Sequence, residues 1–167
     1  MSGGMSDTAS RPNAISGAFD WREVIAGIYI VVAGVLLLRL LIGLVLTWRL
    51  AHRARPVSDR WVAGADVRVS DAVGVPVTFG STILLPPECF EWSAAKRQAV
   101  LLHEGSHVAH GDFYVLLLAV LNRAVFWFSP LAWWQLARLA DLAELISDDA
   151  AIEVVRDRPS YAGILLD

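Results

Sequence analysis

Residues 24–48 read VIAGIYIVVAGVLLLRLLIGLVLTW, an apolar run that contains a single charged side chain. As an α-helix rising 1.5 Å per residue, this run is about 37 Å long, which exceeds the hydrocarbon thickness of a bilayer, about 30 Å. Trp21 and Trp48 bracket the run, and tryptophan is enriched at both membrane interfaces. We therefore predict a transmembrane helix over residues 23–49, preceded by a mobile tail over residues 1–22.

The composition of the chain fits a membrane protein and gives no support for direct nucleic-acid binding. Of the 167 residues, 56% are hydrophobic and 19% are charged, and the net charge is −3. Soluble domains carry more charge, about 25% of their residues, and nucleic-acid-binding domains are typically basic. The single cysteine, Cys89, excludes an intrachain disulfide framework and a zinc site built from cysteines.

Arginine residues flank the apolar run unevenly. Two precede it and four follow it closely: Arg11 and Arg22, then Arg49, Arg53, Arg55 and Arg60. The positive-inside rule then predicts that everything after residue 49 lies on the cytoplasmic side. The membrane expected is the inner (plasma) membrane of the cell. The charge within the run, Arg39, lies about two turns before Trp48. It either snorkels to the interface beside that tryptophan or faces an inward partner.

A β-rich stretch over residues 61–87 follows. Three short runs, ADVRVS (65–70), VPVTF (75–79) and TILL (82–85), are separated by residues typical of turns and closed by two prolines. This pattern predicts a small antiparallel sheet or a set of hairpins. Ser93 is then a suitable N-cap for a helix over residues 94–110, which Gly111 ends.

The predicted helix over residues 94–110 contains the pattern His-Glu-x-x-His. His103 and His107 are four residues apart and lie on one helical face, so both imidazoles can bind one metal ion. Glu104 is rotated aside and can accept a proton from a metal-bound water, as expected of a zinc hydrolase. The alternative is a pair of histidines that hydrogen-bond to ordinary partners on a partly buried helix face.

A third ligand is expected from a helix over residues 139–157. There Asp141, Glu144 and Asp148 form an acidic stripe. We interpret Glu144 as the third metal ligand and Asp148 as the acceptor of the outer N–H of a ligating histidine, although such a stripe is also typical of a solvated face. His110 lies only three residues after His107 and fits an interfacial or supporting position better than a fourth ligand.

The segment over residues 113–137 is long enough for a second membrane span, but a single crossing would place Glu144 across the bilayer from His103. Asn122, Arg123 and the helix-breaking pair Ser129-Pro130 fit a bent, membrane-associated hairpin better. A plain two-span protein is the competing picture. The overall fold class is therefore mainly α with a small β-sheet (α+β): one transmembrane helix, then a module with a helical hairpin.

The ordered motifs resemble the integral-membrane zinc peptidases of the BlaR/MecR antirepressor type. The resemblance covers about residues 25–165 and rests on the span, its arginine-rich end, and a series of short motifs: Pro76-Val77-Thr78-Phe79-Gly80, Ile83-Leu84-Leu85-Pro86, the His-Glu-x-x-His helix, Gly111-Asp112, Phe126-Trp127-Phe128-Ser129-Pro130 and Glu144-x-x-x-Asp148. It implies a gluzincin-like zinc metallopeptidase domain over residues 50–167. Ser147 stands where the family usually has a cysteine.

Within that resemblance, His103, His107 and Glu144 are the expected Zn²⁺ ligands, Glu104 is the general base, and Asp148 supports a ligating histidine. A β-edge near residues 75–85 is implied as the place where an extended peptide adds as a strand. The expected function is membrane-bound, zinc-dependent hydrolysis of a cytoplasmic repressor-type protein, with a partner membrane protein supplying the signal. The alternatives are a constitutive quality-control protease of the membrane and a non-catalytic signalling scaffold with a structural metal, which would require a fourth ligand such as His110.

Overall fold

The computed structural model describes residues 20–62 and 64–156. Residues 1–19 of the predicted tail and the last residue of the predicted helix over 139–157 lie outside that part of the chain. The elements, in chain order, are α1 (Trp21–Arg53), β1 (Arg55–Pro56), β2 (Asp66–Val69), β3 (Val77–Phe79), β4 (Thr82–Leu85), α2 (Ala94–His110), α3 (Asp112–Val125) and α4 (Pro130–Arg156), with 3₁₀ turns at Arg60–Val62 and Pro87–Phe90. The predicted fold class, mainly α with a small sheet, is confirmed.

Helix α1 is long and apolar enough to cross a membrane. Asp20 caps its first turn by accepting a hydrogen bond from the backbone N–H of Arg22 (2.9 Å). The helix therefore begins two residues before the predicted boundary at residue 23, and it continues past residue 49 to Arg53. Only Ala33 and Ala51 of α1 are buried within the molecule. A helix that leaves so much apolar surface uncovered is suited to contact with lipid.

The four-stranded sheet has the order β1-β2-β4-β3. The predicted small antiparallel sheet or set of hairpins is wrong in one pairing: β2 and β4 pair in parallel, while the other two pairs, including the β3–β4 hairpin, are antiparallel. The sequence of β4 explains the arrangement: Ile83, Leu84 and Leu85 are all buried, as expected of a strand covered on both faces. The most apolar strand takes an interior position, and β3 turns back at Gly80 (φ +62°) to form an edge.

Helix α2 packs on the sheet. Ser93 caps it by accepting from the backbone N–H of Lys96 (3.2 Å), and Gly111, in the left-handed conformation (φ +68°), ends it. Val100, Leu101 and Val108 of α2 pack against a core that contains Cys89 and residues of β2 and β4. Burial raises the pKa of the Cys89 thiol, which suits a packing role rather than a nucleophilic one.

Helices α3 and α4 form a hairpin beside α1. The chain bends by 59° between α2 and α3, immediately after Gly111. At the tip of the hairpin, the Tyr29 hydroxyl of α1 donates to the carbonyl of Val125 (3.0 Å), and the Tyr29 ring contacts Phe128. Helix α4 then returns to pack along α2. Residues on α2 and α4 therefore meet at one end of the hairpin.

The predicted division between a hairpin over residues 113–137 and a separate helix over 139–157 differs from the structure. Helix α4 runs without a break from Pro130 to Arg156. Ala137, Arg138 and Leu139 are all good helix formers, whereas Pro130 favours the first position of a helix. The only break in this stretch precedes Pro130, so the hairpin arm and the acidic stripe belong to one rigid element.

Candidate metal centre

His103 and His107 of α2 face Glu144 of α4. The Nε2 atom of His103 lies 3.7 Å from Oε2 of Glu144, and the Nε2 atom of His107 lies 3.8 Å from Oε1 of the same carboxylate. The three residues each offer one donor atom, and these atoms all lie within 4.8 Å of one another. Two consecutive turns of α2 and one turn of α4 thus bring the three predicted ligands together.

The donor set fits a zinc ion. Two imidazole nitrogens and one carboxylate oxygen are a common ligand set of catalytic zinc. Tetrahedral bonds of 2.0–2.1 Å place neighbouring ligand atoms about 3.3 Å apart. The separations of 3.7 and 3.8 Å run from the two histidines to the two different oxygens of Glu144, and all three donor atoms lie within 4.8 Å of one another, so the donors must move closer together to share one ion. Side-chain movements would therefore complete the site.

The two histidines differ in how their outer nitrogens are held. The Nδ1–H of His107 donates to Oδ2 of Asp112 (2.8 Å), whereas the Nδ1 atom of His103 lies 3.2 Å from Oδ1 of Asp148, within ion-pair distance. Because an ionised carboxylate can only accept, the Asp112 contact keeps the proton of His107 on Nδ1 and leaves the lone pair of Nε2 directed at the common centre. The role of Asp148 as the acceptor for His103 stays a prediction.

Two further contacts on His107 were not predicted. Asp112 lies at the start of α3, and the buried Ser147 hydroxyl of α4 lies 3.1 Å from His107 Nδ1. The Gly111-Asp112 pair and Ser147 were noticed only as parts of the family pattern. The signal for Asp112 was available, since a carboxylate directly after the stop of a metal-binding helix can reach back to its last turn.

Glu104 lies beside the three-ligand group without belonging to it. Its residue is only 7% exposed, and its Oε2 atom accepts a hydrogen bond from the hydroxyl of Thr78 on β3 (2.8 Å). That hydroxyl also lies 3.3 Å from the backbone carbonyl of Glu104. The edge strand thereby fixes the orientation of the carboxylate, a contact that the sequence did not reveal because Thr78 is 26 residues away.

His110 and Asp149 lie outside the ligand group. The Nδ1–H of His110 donates to the backbone carbonyl of Ser106 (2.9 Å), one turn earlier on α2. Asp149 is exposed, and Asp141 of the same helix pairs with Arg138 at 3.8 Å. Among the described residues, this centre therefore has three candidate ligands and an open side.

The open side faces a cleft of about 530 Å³. His103, Glu104, His107 and Glu144 form its polar end. The remaining walls come from the edge strand, from α1 and from α3: Pro76, Val77, Thr78, Leu40, Leu44, Asp112, Phe113, Leu116, Leu117 and Val120. The cleft therefore passes from the candidate metal centre to the free edge of β3 and to the apolar flank of α1.

Comparison with known proteins supplies independent information. The family described as BlaR1 peptidase M56 matches residues 2–167. The regulatory protein BlaR1 of Bacillus licheniformis is 34% identical over 92 residues, which are 53% of this chain and 15% of that relative. The chain thus aligns with only a small part of the length of that curated relative.

Proposed function

The chain belongs to the BlaR1 peptidase M56 family, and on that premise we propose that it is a membrane-bound zinc endopeptidase. The proposed substrate is a regulatory protein of the repressor type, cut on the cytoplasmic side of the inner (plasma) membrane. The arginines that follow the apolar run, at the end of α1 and just after it, support that orientation, and a partner membrane protein would supply the signal. The observation that carries the proposal is the convergence of His103, His107 and Glu144 beside a buried Glu104.

The proposed roles follow from the contacts. A bound zinc ion supplies Lewis-acid polarisation of the scissile carbonyl and lowers the pKa of a coordinated water towards neutrality. Glu104 accepts a proton from the attacking water at its carboxylate and passes it to the leaving amine. Thr78 holds that carboxylate at Oε2, Asp112 holds the imidazole of His107 in the binding tautomer, and Asp148 lies where it can do the same for His103.

The edge strand supports binding of an extended peptide. The outer edge of β3 pairs with no other strand of the described sheet, and β3 lines the cleft beside Glu104. A peptide added along β3 would receive main-chain hydrogen bonds and pass the candidate metal centre. Such recognition depends on the backbone, so it fits an endopeptidase that cuts within an extended segment.

The scaffold alternative is the less favoured one. A structural zinc site is typically closed by four protein ligands, and the sequence offers His110 as the fourth. Among the described residues, however, His110 does not belong to the group of three candidate ligands. An open fourth position beside a buried glutamate is the arrangement expected of a hydrolase.

The proposal is tested by hydrolysis of a peptide mixture by the detergent-purified chain. We expect zinc-dependent cleavage that a chelator abolishes and added zinc restores. Glu104→Gln should bind zinc normally and lose about 100-fold or more of the rate, as expected when a general base is removed. Glu91→Gln, at an exposed glutamate outside the cleft, is the matched control. Full activity of Glu104→Gln would refute the proposed mechanism.

A further inference from the structure

A second cavity adjoins the cleft at the candidate metal centre. It has a volume of about 540 Å³ and lies among α1, α3, α4 and β3. The two cavities share Leu40, Leu44, Thr78, Phe113 and Val120 as lining residues. A ligand can therefore extend from one cavity into the other without leaving the protein surface.

Two arginines line the second cavity, Arg39 of α1 and Arg123 of α3, and its described lining includes no aspartate or glutamate. Among the described residues, neither arginine is within ion-pair distance of a carboxylate. The Nε–H of Arg123 is buried without a hydrogen-bond acceptor, and its guanidinium lies over the Trp133 ring, 4.8 Å from the centroid.

Such an arrangement favours the binding of an anion. Arginine stays protonated in proteins, and a buried N–H without an acceptor costs free energy. Charged side chains in membrane segments usually pair, and they often mark the path of a substrate. The stacking on Trp133 orients the Arg123 guanidinium without neutralising its charge. Two cations in a cavity whose other described lining residues are uncharged are thus complementary to a carboxylate.

We propose that Arg39 and Arg123 form a subsite for an acidic side chain of the peptide substrate. This inference rests on the proposed peptidase function and adds a specificity determinant to it. The continuity of the two cavities favours a substrate group over a lipid: Val77 and Thr78 of the edge strand line the first cavity, and Thr78 and Phe79 line the second. A peptide following β3 would pass from the metal centre into the arginine-lined cavity.

The length of α3 sets the expected position of the acidic residue. Asp112 lies at the metal centre and Arg123 eleven residues later on the same helix, which corresponds to about 16 Å of α-helix. An extended peptide covers that distance in about five residues, and the long arginine side chains shorten the gap. We therefore expect the acidic residue within about three to five residues of the scissile bond.

The test measures peptide binding without turnover. Neutral-dye-labelled peptides, identical except that one Glu or one Gln is moved along the chain a residue at a time, are titrated into zinc-loaded Glu104→Gln protein in neutral detergent. We expect the best Glu peptide to bind about tenfold more tightly than its Gln counterpart. That preference should disappear when Arg39→Gln or Arg123→Gln is added, and Arg39→Glu should favour a Lys peptide.

Arg138→Gln is the matched control, because that exposed arginine of α4 already pairs with Asp141 and lies outside both cavities. Equal zinc content of all variants shows that they fold. If the Arg39 and Arg123 variants weaken the binding of the Glu and Gln peptides equally, the proposal is wrong. It is also wrong if these variants alter only the binding of phosphatidylglycerol in nanodiscs, which would assign the arginines to a lipid. Because this test measures binding without cleavage, its failure can be distinguished from failure of the peptidase proposal, which the hydrolysis experiment tests.

Discussion

The two halves of the candidate metal centre differ in how firmly the protein holds them. The half around His107 of α2, called here the α2 half, is enclosed: the side chains of His107 and of Asp112 at the start of α3 are only 13% and 15% exposed, and Ser147 of α4 lies against the same imidazole. In the α4 half, the side chains of Glu144 and Asp148 are 65% and 64% exposed. The comparison indicates a preorganised imidazole platform and a carboxylate arm that is free to adjust when a metal and a substrate bind.

The first prediction compares the two carboxylates beside the histidines, Asp112 and Asp148. Asp112→Asn should lower zinc affinity about 30-fold, because a buried partner of a ligating imidazole is lost, and such losses typically cost 10–100-fold. Asp148→Asn should cost only about threefold, since water can replace an exposed acceptor. Competition with a fluorescent zinc chelator measures both. Equal losses in the two variants would remove the distinction between the halves.

The second prediction concerns the contact from the sheet to the proposed base. Thr78→Val removes the hydroxyl that donates to Glu104 Oε2 at 2.8 Å while keeping the shape of the side chain. We expect the hydrolysis rate to fall about tenfold, the size of one lost hydrogen bond to a charged group, with zinc content unchanged. Thr82→Val, at a threonine that contacts Asp66 instead, is the control. A loss of zinc from Thr78→Val would mean that Glu104 belongs to the ligand set.

The third prediction concerns Ser147, which lies against His107 in the α2 half. Ser147→Ala should change zinc affinity by about threefold or less, because Asp112 still accepts from His107 Nδ1. The free energy of unfolding should instead fall by about 1 kcal/mol, because the substitution removes a buried hydroxyl together with its hydrogen bond. Ser147→Cys should retain more stability than Ser147→Ala. A large zinc loss in Ser147→Ala would make the serine, rather than Asp112, the main support of His107.

The smallest predicted effect lies in the sheet, outside both halves. Hydrogen bonds from Arg68 hold the pKa of Asp66 below its usual range, and Arg68 also donates to the Ala51 carbonyl of α1 (3.0 Å). Since the folded state lowers this pKa, the stabilisation is complete at neutral pH and is lost as the pH falls below the usual aspartate range.

Asp66→Asn should therefore lower the unfolding free energy of the zinc-free protein by about 0.5 kcal/mol at pH 7. The difference from wild type should shrink as the solution is acidified. Thermal unfolding at several pH values measures it, with zinc affinity as the control that should not change. A difference that stays constant with pH would contradict the assignment of this stabilisation to the ionised carboxylate.

The sequence predicted well what depends on short-range patterns. The length of the apolar run, the Ser93 cap and the Gly111 stop are local signals, and α1 and α2 occur where those signals lie. The four-residue spacing of His103 and His107 likewise fixes their common face. These features need no tertiary information.

The features that the sequence did not predict depend on contacts between residues that are far apart in the chain. The parallel pairing of β2 with β4 follows from competition among strands for the buried position, which the run lengths do not encode. The Thr78–Glu104 and Ser147–His107 contacts join residues 26 and 40 positions apart. Glu144 was predicted because the chemistry of zinc demands a third ligand, and an unmet chemical requirement is a stronger guide than the helical pattern alone.

The most direct test of the account is the zinc content of the detergent-purified protein in four forms. These are wild type, Glu104→Ala, Glu144→Ala and the control Asp149→Ala, which removes an exposed carboxylate of the same helix. The account predicts about one zinc per chain in all forms except Glu144→Ala, which should lose the metal. If Glu144→Ala retains zinc as tightly as wild type, the meeting of the two halves at one metal is refuted.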